Sequence, residues 1–246
     1  MGMIEGDQMK RSIVLLIAVI SCLLSACTAK QDGFEHYKNG YEYRIDPIGV
    51  KILSHSYDQT ETHITIPEEF DGNPVAILGD ASFIDHKNMI SVTLPNDLFG
   101  LESAPFFDCE SLEECIIPKN VQRISGNSFY GCSSLTEIEV DPENEYYTAV
   151  DGALYDKNVT ELFSYPEGKA DESYVVPKTV EYIRFDAFGR HLNAKRVTIL
   201  SNVTKFPDGN IFPSPDDVTM IVEAGSAAEQ YAKDYGIRFE IYNKED

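Results

Sequence analysis

The chain repeats itself: the apolar pattern of Pro95 to Ile117 returns, position for position, between Pro118 and Val140. Leu98 matches Val121, Leu101 matches Ile124, Phe106 matches Phe129, Cys109 matches Cys132, Leu112 matches Leu135, Cys115 matches Ile138, and Ile117 matches Val140. A unit of about 23 residues is too small to bury its own apolar face, so each copy needs a neighbour stacked on it and the chain must coil as a solenoid. The same frame continues on both sides. Upstream it uses Val75, Leu78, Phe83, Met89, Val92 and Leu94, with His86 where cysteine stands elsewhere. Downstream it uses Pro177, Val180, Ile183, Phe188, Ala194, Val197 and Ile199, with His191 at the cysteine position. A decayed fifth copy uses Val203, Phe206, Ile211, Met220 and Val222, and lacks the aromatic and cysteine positions.

Stacking turns equivalent positions into columns, so Phe83, Phe106, Phe129 and Phe188 are expected to form one buried aromatic file. The segment from Leu135 to Val140 supplies a short strand in each coil. Alternate side chains of a strand point to opposite faces, so inward Ile138 and Val140 leave Glu137 and Glu139 facing out. The same phase puts Ser91, Thr93, Glu114, Ile116, Arg196, Thr198, Thr219 and Ile221 on the outer face. Ile116 and Ile221 are the odd members, since a solvated face has little use for a large branched apolar side chain. Cys109 and Cys132 fall in adjacent coils, with backbones about 5 Å apart at strand spacing. A disulfide and a ladder of buried thiols both fit that spacing.

The combination Ile-Pro-x-x-Val-x-x-Ile followed by Ser/Ala-Phe-x-x-Cys-x-x-Leu-x-x-Ile-x-Ile-Pro resembles the BspA-like leucine-rich repeats of bacterial surface proteins. Ile64-Thr65-Ile66-Pro67, Asp71-Gly72-Asn73-Pro74-Val75 and the tail from Gly225 to Ala232 resemble that family's first and last turns. The resemblance implies a mainly β leucine-rich-repeat solenoid that binds other proteins, with adhesion to host-matrix or neighbouring-cell proteins as the class of function.

Solenoid ends need covering. Tyr41 to Ile45, Val50 to Ser54 and His63 to Ile66 alternate apolar and polar residues and read as an N-terminal β-cap over 41–66. Ser226, Ala227 to Tyr235 and Gly236 read as N-cap, helix and stop, so a short C-terminal helix and a closing strand cap the other end over 224–242. Repeats occupy 67–140 and 177–223. Between them, residues 141–176 break the period, and Asp151-Gly152 between two alternating runs signals a β-hairpin insertion. The insertion is rich in tyrosine, and Tyr147 and Tyr155 are its candidate contact residues.

Met9-Lys10-Arg11, the apolar run Ile13 to Leu24 and then Ser25-Ala26-Cys27 follow the charged, apolar, small order of a secretory signal over 1–26. Leu24-Ser25-Ala26-Cys27 resembles the lipobox of bacterial lipoproteins, which implies a lipid on Cys27, a linker over 27–40 and a single solenoid domain over 41–242. Such a chain is exported and held at the outer face of the membrane.

Against 20 Lys plus Arg stand 41 Asp plus Glu, a formal charge of −21 among 246 residues. That field repels nucleic acid. No phosphate loop, metalloprotease helix, nucleophile elbow or Cys-x-x-Cys occurs, and the five histidines are dispersed. The sequence therefore predicts no catalytic residue, cofactor or metal. It predicts a binding surface made of Thr93, Ile116, Glu137, Glu139, Arg196, Thr198 and Ile221, with Tyr147 and Tyr155 beside it. An envelope scaffold that holds another envelope component or a polysaccharide is the alternative.

Overall fold

The computed structural model describes residues 35–243 apart from 57 and 59. The signal segment and Cys27 lie outside the described residues. Within them, no helix is long and apolar enough to cross a membrane.

The chain opens with an antiparallel meander, β1 (Glu35–Lys38), β2 (Tyr41–Asp46) and β3 (Gly49–His55). The end of the expected linker is therefore a strand, because Glu35 to Lys38 pairs residue by residue with Tyr41 to Arg44. The coils follow as β4 (His63–Thr65), β5 (Glu69–Phe70), β6 (Asn73–Leu78), β7 (Ser91–Thr93), β8 (Gly100–Leu101), β9 (Glu114–Ile117), β10 (Arg123–Ile124) and β11 (Glu137–Val140). They build two parallel ladders, β3-β6-β8-β10 on one side and β4-β7-β9-β11 on the other. His63 to Ile66 thus begins the repeat ladder and is not part of the cap: Ile64 sits opposite Val92, in the register that defines the coils.

Between the ladders lies the apolar interior. Phe83, Phe106 and Phe129 are buried, with ring centroids 5.7 and 5.8 Å apart. Cys109 and Cys132 are free and buried, and each thiol donates to the carbonyl of a phenylalanine in the preceding coil, Phe83 and Phe106, at 3.1 Å. Burial pushes the Cys109 thiol up to about 12. The column is one of packed thiols.

The residues after β11 do more than interrupt the repeat. β12 (Tyr147–Val150), β13 (Ala153–Asp156) and β14 (Glu161–Ser164) form a second antiparallel meander, turned at Asp151-Gly152. Both turn residues have positive φ, 50° and 71°, as a two-residue hairpin of this hand requires. β15 (Ser173–Val175) starts a new parallel ladder with β17 (Arg196–Ile199), β18 (Thr219–Val222) and β19 (Arg238–Ile241), while β14 pairs with β16 (Tyr182–Ile183). The segment expected as an insertion therefore supplies the cap and first strand of a second repeat block. Phe188 is buried in this block, against Tyr165 and Phe212, and stands apart from the Phe83, Phe106 and Phe129 file.

The fifth copy coils fully: β18 pairs with β17 over four residues, and Phe212 supplies the missing ring, 5.0 Å from Phe188. Helix α1 (Ala227–Asp234) closes the block. The Ser226 side chain accepts from the Glu229 amide at 3.1 Å and Glu229 accepts from the Gly225 amide at 2.6 Å, a reciprocal cap. Ala228, Tyr231 and Ala232 face the core.

Candidate functional site

The ladder β4-β7-β9-β11 presents two outward rows. His63, Ser91, Glu114 and Glu137 form one, each opposite the next in the strand register, and Thr65, Thr93, Ile116 and Glu139 the other, with Thr65 opposite Thr93 and Ile116 opposite Glu139. The alternation arises from the strand period: in β9, Cys115 and Ile117 are buried while Glu114 and Ile116 are exposed. Ile116 is 53% exposed between carboxylates and threonines. No ion pair joins Glu114, Glu137 or Glu139 to a cation among the described residues.

In the second ladder the rows are Ser173, Arg196, Thr219, Arg238 and Val175, Thr198, Ile221, Glu240. Arg196 and Glu240 sit on β17 and β19 and form a two-pronged pair at 2.8 and 3.2 Å. Ile221 lies on β18, between those two strands, and is only 9% exposed. Ile221 is therefore not a free contact point, contrary to the strand phase alone. Val175, which lay in the segment set aside as an insertion, is 59% exposed in the same row.

The two tyrosines proposed as contacts are core residues. Tyr147 is 6% exposed, with its hydroxyl accepting from the Ile124 amide at 2.9 Å, so it fills the open edge of β10. Tyr155 has no exposed surface and its hydroxyl shares a hydrogen bond with that of Tyr174. A tyrosine in a two-sided hairpin buries its ring where a partner hydroxyl or amide meets its polar tip. Burial pushes the Tyr155 phenol up to about 12.

One grouping resembles catalytic machinery. His63 Nδ1 lies 2.8 Å from Ser91 Oγ, and Glu114 is the next residue in the row. All three stand on an open sheet face, with His63 and Glu114 exposed, so nothing excludes water or holds a reacting group. Among the described residues, no three His, Cys, Asp or Glu side chains gather to hold a metal. Of the histidines at the cysteine position, His86 is buried, its Nε2 lying 3.0 Å from His55 Nδ1, whereas His191 is exposed.

Several residues that position this surface escaped the repeat pattern. Asn144 is buried and satisfies all its valences, donating to the Pro118 and Val121 carbonyls and accepting from the Tyr146 and Tyr147 amides. Asn202 makes the matching bonds to Pro177 and Val180. Each asparagine reaches the proline turn of the coil before it, a recurrence visible in the sequence as Asn144 and Asn202 at nearly the same distance from Pro118 and Pro177. Glu167 is the buried acid of the middle, and its signal is absent from the repeat. Its Oε1 accepts from the Gly131 and Arg190 amides at 2.6 and 2.7 Å and its Oε2 from the His191 amide at 3.2 Å. Desolvation raises its carboxyl above the usual range, against the pull of those amides.

Residues 51–168 match the family described as BspA type leucine rich repeat region, in six copies. No curated protein matches the chain. Among solved structures, it is similar to a leucine-rich repeat protein from Eubacterium ventriosum, at 20% identity over 84% of this chain and 71% of that one, with a TM-score of 0.44. It is also similar to the leucine rich repeat protein of T. pallidum, at 16% identity over 84% and 98% of the two chains with a TM-score of 0.49. A third similarity is to the pneumococcal vaccine antigen PcpA, at 16% identity over 86% and 70%, with a TM-score of 0.42. With its ladders in repeat register and residues 51–168 matched by that family, the chain carries a leucine-rich-repeat region of the BspA type.

Proposed function

We propose that this protein is a non-catalytic binding module of the bacterial cell surface, which grips a protein partner through the outward strand rows of its solenoid. The observation that carries the reading is Ile116, 53% exposed at the middle of a flat row and flanked by unpaired carboxylates. An apolar side chain ringed by polar groups is the composition of a contact point. Thr93, Glu137 and Glu139 surround it on the first face; Arg196 and Thr198, with Val175, form the second. A host-matrix or neighbouring-cell protein is the class of partner, and a lipid on Cys27 is the anchor. No nucleic acid is expected on a chain of formal charge −21.

The test is capture of extracellular-matrix proteins by the exported chain, immobilised, with and without the double change Ile116→Glu and Glu139→Lys. Both positions are exposed, so melting should shift by less than about 0.5 kcal/mol in stability. Capture lost at unchanged melting is the expected result. Capture that persists, together with a disturbed envelope in the cell, would favour the scaffold reading instead.

A further inference from the structure

The second ladder ends in an open strand. β19 pairs with β18 in unbroken register over four residues, and among the described residues no strand lies on its other side. The Tyr242 amide bonds to the Val222 carbonyl, so the backbone groups of Arg238, Glu240 and Tyr242 turn toward β18. Those of Phe239 and Ile241 turn the opposite way, to the open edge. The apolar side of the strand is also incompletely covered. Phe239 is half-buried against the second core, Ile241 is 41% exposed, and an open groove of about 650 Å³ is lined by Lys233, Gly236, Ile237 and Phe239.

An edge that must stay single is blunted by proline, by a bulge or by charges that repel a second strand. β19 carries no proline and no bulge. Its two charges, Arg238 and Glu240, are exposed on the same outward face, of opposite sign and symmetric about Phe239. Among the described residues no carboxylate pairs with Arg238, whereas Glu240 holds Arg196 at 2.8 and 3.2 Å. Arg238 is therefore a free cation beside an open row of backbone groups, on a chain whose formal charge is −21. What it lacks is a carboxylate presented by an added strand.

We propose that β19 is a self-association edge, to which a second copy of this chain adds its own β19 in antiparallel register, on a dyad through Phe239. In that register Phe239 faces its counterpart and exchanges both backbone bonds with it, and Arg238 of each copy faces Glu240 of the other. The sequence Arg-Phe-Glu is its own complement when reversed. Each Glu240 then lies between Arg196 of its own copy and Arg238 of the other, and a carboxylate has acceptor sites for both. The two four-stranded sheets become one sheet of eight strands. The Ile116 row belongs to the other ladder, so this pairing does not rest on the binding reading.

Sedimentation of the exported chain, with Cys27→Ser to remove the lipid, tests this from about 10 µM to about 1 mM, the range suited to a small interface. A concentration-dependent dimer is expected. Arg238→Glu and Glu240→Arg should each weaken it at least about tenfold, because like charges then face each other across the dyad. Mixed in equal amounts, the two variants should dimerise again, since every glutamate then meets an arginine. Both side chains are exposed, so melting should stay that of the wild type. As a second measure, Phe239→Cys should be joined to its counterpart by a short bismaleimide, the facing Cα atoms being about 5.5 Å apart, while Ile116→Cys should not. The native thiols of the described residues are buried and do not compete. A chain that stays monomeric to about 1 mM overturns the proposal, a concentration at which even weak pairing registers. So does a dimer indifferent to both charge changes, or a pair of variants that does not recover on mixing.

Discussion

His86 occupies the column filled in later coils by Cys109 and Cys132, and burial under Phe83 and His55 lowers its pKa from 6.5 to about 4. The unfolded chain takes up this proton near pH 6.5 and the folded chain only near 4. Stability from this group is therefore complete above pH 6.5, declines as the pH falls between those values, and is flat below. The difference is worth at most about 3 kcal/mol, and His55, lowered by the same burial, adds in the same direction. Melting temperatures of wild type and His86→Cys from pH 7.5 to 4 should diverge on acidification, with the variant losing less. Parallel curves would show that the histidine is not charged on unfolding. At the same scale, Phe106 sits between two rings and is fully buried. Phe106→Ala should cost about 3–5 kcal/mol in denaturant titration. Both positions were legible in the repeat, because a side chain in the middle of a column has neighbours dictated by the period. Ile221 was not: the strand phase turns it outward beside Thr198 and Glu240, yet it is only 9% exposed once β17 and β19 flank it.

Among the elements, helix α1 and its cap followed from local chemistry. Ser226 satisfies the Glu229 helix amide, which would otherwise lack a partner, and Glu229 satisfies the Gly225 amide just before the helix. Ser226→Ala should therefore cost about 1 kcal/mol, seen as a matching shift in the unfolding midpoint; a smaller shift than about 0.3 kcal/mol would mean that Glu229 alone holds the end. The second meander was legible as a hairpin through Asp151-Gly152, yet its role was not. Tyr147 and Tyr155 differ by an even number of residues across a turn, and whether each ring meets core or solvent depends on what packs on either side. Here both sides of β13 are interior, so tyrosines that local pattern offered to a partner close the two cores instead. The turn before β14 shows the same dependence: Val159 holds a φ of 56°, uncommon for a branched residue, because Asp156 fixes the loop through the Thr160 and Glu161 amides.

For the molecule as a whole, the expected lipid on Cys27 has a direct check. Cys27→Ser should abolish incorporation of a labelled fatty acid and shift the protein from the membrane fraction to the soluble one; continued membrane association would refute anchoring at this residue. The sequence by itself determined that the chain coils, which residues line the coils, and where the outward rows begin, since a fixed period leaves a short unit no other way to bury its apolar positions. Only the tertiary structure decided that there are two repeat blocks packed through the second meander, that Glu167 takes up the Gly131 amide across the break, and which outward residues stay uncovered. Those outcomes depend on contacts between residues far apart in the chain, across the break at 141–176, and a periodic pattern carries no information about what happens where the period stops.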